Sequence, residues 1–416
     1  MPSRIRVLDS ANRTMQRLGY LKPLCALVNA TETSNLETLG KRLIERVIKR
    51  VRISPPFDAQ TRAYVKNRLT DRLYHDLRKA VLESANGQAV HMEIQDVYLA
   101  DANLPSRTGK LVEANWRRYP YLGTSLELIK KGTYSALTRS LVLLAVTPEA
   151  ELRAFQDADR SHNPFRISDA QAAILLYCLV DNDADVLQPF FAGLLSQTSA
   201  SFDEREAGNL LPDIFRQIDK QFRNRAITAE ERSRLALLVK AAASIDKWKT
   251  KSYTGGGARQ EAATVRLEPF CDLGFFTKPD RDRFEYRTTD RLRNWLARWQ
   301  QAGGIDDFLR DRFFAALAAS HGWPARLVDD EQATTALTAA GEDLKSSLGY
   351  SPIVDVALLA ATRLLTEQRL VLEIGRATEL LKALQKRDPA FVRFTVDRMG
   401  TMAYVKFLKP APEAAK

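Results

Sequence analysis

The sequence predicts a mainly helical, multi-domain chain with small β-hairpins, and three observations carry that expectation. Apolar residues recur at helical spacing through most of the chain. Two late segments each run from a helix into a short hairpin. The length, 416 residues, makes two to four domains at roughly 100 to 200 residues each. The apolar fraction of 45% and the charged fraction of 27% allow enough burial to offset ordering entropy, which excludes a disordered chain. Along the chain the expected division is a basic helical N-terminal region at 1–125, a helical middle domain at 126–225, and two helix-plus-hairpin modules at 226–325 and 326–416.

The N-terminal region is set apart by charge. Residues 1–80 hold 17 Lys and Arg against seven Asp and Glu, a balance of +10 out of +11 for the whole chain. The densest part is Lys41 to Arg52. There Leu43, Ile44, Val47, Ile48 and Val51 form an apolar stripe, while Arg42, Glu45, Arg46, Lys49 and Arg52 populate the other faces and, with Arg50, make a strongly basic surface. Thr33 or Ser34 starts this helix and Pro55-Pro56 stops it. A second helix, about 58–84, carries Arg62, Lys66, Arg68, Arg72, Arg78 and Lys79. Such a surface meets a polyanion. The apolar side lacks Trp and Phe, which ranks a membrane below nucleic acid.

Residues 91–99 alternate as a strand, and 101–110 reads as a loop. The stretch 126–146, with a turn at Lys130-Lys131-Gly132 and β-prone ends, suits a short strand pair or wing. From Ile167 the pattern becomes helical. Ser168 reads as an N-cap, Ala172 to Val180 is apolar nearly all round, and further helices follow at 190–195, 209–222 and 228–247. Thr228 and Glu231 have the spacing of a capping box.

The first late module runs as a helix from about Gln260 that yields near Pro269 and stops at Gly274. A strand at 275–278, the turn Pro279-Asp280-Arg281-Asp282 and a strand at 283–288 follow. The second runs as helices at 353–366 and 374–387, a strand at 391–397, the turn Arg398-Met399-Gly400 and a strand at 401–407.

The residues Leu267-Glu268-Pro269-Phe270-Cys271-Asp272-Leu273-Gly274-Phe275-Phe276, continuing into Phe284-Glu285-Tyr286-Arg287-Thr288, resemble the recognition-helix end and wing of winged-helix DNA-binding domains. Segment 353–407 has the same order with a more regular hairpin. Pro269 departs from the pattern by shortening the helix. The resemblance covers under a fifth of the chain and identifies no specific family. It implies a helix presented to a DNA major groove with the wing on the adjacent backbone. In the second module it points to Arg376, Lys382 and Lys386, with Thr378 and Gln385. In the first it points to Arg259, with Gln260 and Thr264, and to Arg281 and Arg283 on the wing. Winged helices also serve as protein-docking modules, and Glu261, Glu379 and Asp397 reduce the local positive field.

The run Lys247-Trp248-Lys249-Thr250-Lys251-Ser252-Tyr253 interleaves Lys249 and Lys251 with aromatics, a composition that holds phosphate and stacks a base. Gly255-Gly256-Gly257 beside it favours a flexible solvated linker over that use. Asp181, Asp183 and Asp185 alternate as Mg²⁺ ligands do, and they also read as the polar end of a buried helix. His75, His91, His162 and His321 lie apart, as do Cys25, Cys178 and Cys271, so no zinc, hydrolase or disulfide pattern emerges and neither cofactor nor metal is implied. No stretch reaches the about 20 apolar residues of a membrane span, and MPSRIRV lacks a signal core. The expectation is a cytoplasmic, non-catalytic DNA-binding or adaptor subunit of a bacterial multi-protein complex, in transcription, mobile-element biology or antiviral defence. Its partners are double-stranded DNA and other protein subunits, with no membrane. The alternatives are a scaffold whose winged helices bind protein and a metal-dependent nuclease using the Asp181 cluster.

Overall fold

A computed structural model of the chain describes residues 4–8, 18–22, 25, 28, 118–129, 135–144, 167–197, 201–225, 227–249, 258–278, 285–396 and 402–408. The basic helices expected at 34–54 and 58–84, the strand at 91–99 and the loop at 101–110 lie outside these residues. The described chain is mainly helical with a few small sheets. It divides into two compact units, one of residues 1–134, 145–168 and 185–288, the other of 135–144, 169–184 and 289–416. The middle segment expected at 126–225 therefore contributes to both.

Two early helices, α1 (Arg118–Ser125) and α2 (Ala136–Leu143), bracket a region where β-structure was expected. Residues 136–143 are helical, contrary to the strand pair read from 126–146. Ala136, Leu137, Ser140 and Leu141 are buried at helical spacing, and Ser140 Oγ donates to the Ala136 carbonyl at 3.1 Å. Burial of that stripe overrides the β propensity of single residues.

Helix α3 (Asp169–Ser196) starts directly after Ser168, as the cap reading required. It does not end at the aspartates. Asp183 leaves helical geometry (φ −133°, ψ 15°) and the helix resumes beyond it, so 190–195 is the continuation of one kinked helix. Pro189 cannot donate to the Asp185 carbonyl four residues back, which favours a bend there. Asp185 is engaged with the N-terminal segment: its carboxylate accepts from Arg6 N at 2.7 Å, and its own amide donates to the Arg6 carbonyl at 3.1 Å.

In the first unit the chain then forms β1 (Ser201–Asp203), α4 (Glu204–Gly208), α5 (Leu211–Phe222), α6 (Ala229–Lys249), α7 (Ala258–Asp272), β2 (Phe276–Thr277) and β3 (Glu285–Thr288). Asp203 and Glu206 close a capping box on α4, and Thr228 and Glu231 close the one expected on α6. Helix α7 continues three residues past Pro269, which corrects the expectation that this proline shortens it. Near a helix end the missing proline amide costs a single bond, to the Val265 carbonyl. The stop comes at Gly274, whose φ of +73° is the left-handed position of a Schellman motif. Phe275 N donates to Phe270 O at 2.9 Å and Gly274 N to Cys271 O at 3.0 Å. The three strands pair antiparallel in the order β1-β3-β2. They pack against Phe191 and Phe270, whose ring centroids lie 4.7 Å apart.

The second unit opens with α8 (Asp290–Gln300), α9 (Ile305–Asp311) and α10 (Phe313–Ser320) around Trp295, Trp299, Phe308 and Phe313, all buried. It continues as β4 (Arg326–Leu327), α11 (Asp330–Leu344), β5 (Ser351–Pro352), α12 (Ile353–Gln368), β6 (Leu370–Val371), α13 (Ile374–Arg387), β7 (Val392–Val396) and β8 (Met402–Phe407). Strands β4 and β6 form a two-residue parallel ladder. Strands β5, β8 and β7 form an antiparallel sheet in that order, with a bulge between Thr395 and Val396. Both three-stranded sheets thus place the last strand of the hairpin in the centre, flanked by a strand that precedes the helices. The second sheet is clasped to α11 at Gly341, where an added Cβ would overlap the Phe407 ring. Only glycine admits that approach.

Candidate nucleic-acid interface

Helix α13 is positioned by one face. Ile374, Ala377, Leu381 and Leu384 are buried, the stripe read from the sequence, and the helix spans 374–387 as expected. The opposite face presents Arg376, Lys382 and Lys386, the predicted cations whose side chains are described, whereas Thr378 donates to the Ile374 carbonyl at 2.9 Å and Thr264 on α7 is buried. Arg376 donates to Asp330 at 3.0 Å and Lys382 to Glu379 at 2.7 Å. All four side chains are well exposed, so the pairs are weak and exchangeable for a phosphate. Lys386 is exposed in the last turn beside Arg387.

Of the remaining predicted residues, Lys249 ends α6 and Arg259 lies in the first turn of α7, their backbones alone being described. Arg42, Arg46, Lys49, Arg50, Arg52, Lys251, Arg281 and Arg283 lie outside the described residues.

Two features of this surface have no counterpart in the sequence reading. The first is the outer face of the β7–β8 hairpin, where Arg393 is exposed and stands across from Lys406. The Lys406 ammonium lies 5.3 Å from the centre of the Tyr350 ring, which holds the cation on this face. Alternation along the hairpin was the signal available for both. Together with Lys386 and Arg387 they make four cations on the last turn of α13 and on the sheet that follows it.

The second feature is that the first turn of α13 is covered on its Gly375 side. A Cβ on Gly375 would overlap the Asp311 carboxylate, so α9 approaches the helix there without room for a side chain. Glu373 turns away from its own helix and accepts from Phe314 N at 3.1 Å and Ala315 N at 2.8 Å, satisfying amides at the start of α10. Burial raises its carboxyl to about 7, against the opposing pull of those amides. The Gly375 side of the first turn is thus closed by α9, while Arg376 on its outer side stays exposed with the C-terminal half of the helix.

Elsewhere in the same unit, the Arg369 guanidinium lies 3.9 Å over the Trp323 ring, and the His321 ring stacks on Trp323 at 4.0 Å. Two groups this close to one ring centre occupy opposite faces, so neither face of Trp323 is open to a base. Burial first, then the neighbouring Arg291, pushes the His321 imidazole down to about 4.

Asp181, Asp183 and Asp185 lie along the kink of α3, with Asp183 buried and Asp185 holding the Arg6 backbone. Among the described residues no group of three or more His, Cys, Asp or Glu side chains is placed to hold a metal ion. No helix among them is long and apolar enough to cross a membrane. Compared with protein-family models, with curated proteins and with solved structures, the chain matches none.

Proposed function

We propose that this chain is a non-catalytic DNA-binding or adaptor subunit of a multi-protein complex, and that residues 330–408 are a winged-helix module through which it meets duplex DNA. The observation that carries this reading is element order. Helix α11, strand β5, helices α12 and α13, then the β7–β8 hairpin follow one another, and the sheet closes in the order β5-β8-β7. That order presents one helix beside a two-stranded wing, a shape that fits a major groove and the backbone next to it. The cations at Lys386, Arg387, Arg393 and Lys406 support it, as does the +10 balance of residues 1–80. The first-unit sheet, in the order β1-β3-β2, supports reading a second module of the same kind.

The covered first turn of α13 favours one other reading, a scaffold whose modules dock protein, since base contacts commonly come from the start of a recognition helix. The two separate in one experiment. Replacing Arg376, Lys382 and Lys386 by Ala alters discrimination among duplex sequences, by about 1 to 3 kcal/mol for each bidentate pairing with a base edge that disappears, in a gel-shift series at fixed salt. If the triple variant and the parent bind every duplex alike, or neither binds, α13 is a docking surface.

A further inference from the structure

The least expected polar group in the first unit is a buried chain of four side chains. Tyr286, on β3, places its hydroxyl 2.5 Å from Glu268 Oε1 and 3.4 Å from Glu204 Oε1. Lys278, just past β2, donates to the same Glu268 oxygen at 2.5 Å and lies 5.1 Å from the centre of the Tyr286 ring. Glu204, Glu268 and Tyr286 are each at most 1% exposed.

Hydrogen counting constrains this chain. The Tyr286 hydroxyl has one proton and the shorter contact is to Glu268, so that proton points there. The contact to Glu204 is then attractive only if Glu204 carries a proton and donates to the Tyr286 oxygen. Without it, two carboxylates and a phenol oxygen face one another in a buried site with Lys278 as the cation.

We infer that Glu204 holds a proton on the acid side of neutrality, donated through Tyr286 toward the Glu268–Lys278 pair, and that its loss loosens the β1–α4 edge of the first sheet as a pH-responsive latch. Glu204 is the first residue of α4 and follows β1 directly, and β1 is an edge strand that pairs Phe202 with Tyr286. The groups facing Glu204 are Thr264 and Glu268 from α7, Lys278 and Tyr286. Cys271 lies near Tyr286, and Arg266 on α7 is buried over the Phe215 ring. On its own element, Asp203 and Glu206 are engaged in the capping box, with the Arg205 amide donating to Asp203.

Burial, the dominant cause, raises Glu204 to about 7, with Glu268 adding to it and the Thr264 hydroxyl, Lys278 and the Tyr286 hydroxyl opposing. The closed edge therefore keeps its proton up to about pH 7, whereas a released edge keeps it only to about 4.5. Release becomes easier as pH rises between those values and levels off above them.

Hydrogen exchange of residues 201–208 in the full chain, corrected for intrinsic rates, reads this directly. Protection falls by up to tenfold per pH unit from pH 5 to 7 and flattens above. In Glu204→Gln, whose amide replaces the donor, protection is flat, while Glu206→Gln keeps the parent slope. Flat protection in the parent, or an unchanged slope in Glu204→Gln, overturns the inference. The carbon resonance of the Glu204 carboxyl in the parent needs no variant: titration near 7 supports the latch, and titration near 4.5 overturns it.

Discussion

Replacing Lys386, Arg387, Arg393 and Lys406 by Gln is expected to lower the salt dependence of duplex binding by about 3 to 4 units of slope, since each phosphate contact contributes about 0.9. The four lie on the last turn of α13 and on the outer face of β7–β8, and Arg393 stands across from Lys406. None of the four is a buried core residue, so the substitutions leave the packing of Leu381, Leu384, Val392 and Val405 in place. The losses at Arg387, Arg393 and Lys406 weaken binding alike on all sequences, because phosphate contacts carry no base information, and the loss of Lys386 adds its share of the discrimination assigned to α13. Residual binding with a lower slope persists through the N-terminal cations, Arg42, Arg46, Lys49, Arg50 and Arg52. Anisotropy titrations from 50 to 300 mM salt, on the order of the range in which such slopes are resolved, check this. An unchanged slope removes the hairpin from the interface.

The largest stability effect is expected at Trp299. Its ring is 2% exposed, stacks on Phe308 at 5.4 Å and meets Trp295 edge-on at 5.0 Å. Trp299→Ala leaves a cavity in the α8–α10 cluster and costs about 3 to 5 kcal/mol. Against a typical domain stability of about 5 to 15 kcal/mol, that is roughly a fifth or more of what holds the second unit folded. Val354, 48% exposed at the start of α12, is the matched control, with Val354→Ala costing about 0.5 kcal/mol or less. Because the chain has two units, unfolding is followed by hydrogen exchange resolved to residues 289–408, where one two-state curve for the whole protein would mislead. Equal effects of the two substitutions would mean that the tryptophan cluster is not the core it is taken to be.

What the sequence made legible was local. The stripe of α13, the Thr228–Glu231 capping box and the Gly274 stop each depend on residues within one or two turns, and each is found where the spacing placed it. What escaped was carried by distant partners. Strands β1 and β5 are three and two residues long, too short for alternation to register, and they find their neighbours more than 50 residues later. Glu373 reads as an ordinary acid before a helix, and nothing nearby tells that it serves amides 58 and 59 residues upstream. The same holds for Asp330, which accepts from Arg376 and weakens the basic face of α13 from another helix. In Asp181 to Asp185 local composition pointed to a helix end, while burial on both sides of the kink kept the helix running. Of the candidate interface, the helix was therefore readable and its surroundings were not.

Lysine acetylation footprinting of the full chain, free and bound to duplex DNA, tests the central claim most directly. The reading predicts that DNA protects Lys386 and Lys406, along with Lys41 and Lys49, while the exposed Lys220 and Lys240 of the first unit react as before. Stable DNA binding with Lys386 and Lys406 as reactive as in the free protein would contradict it.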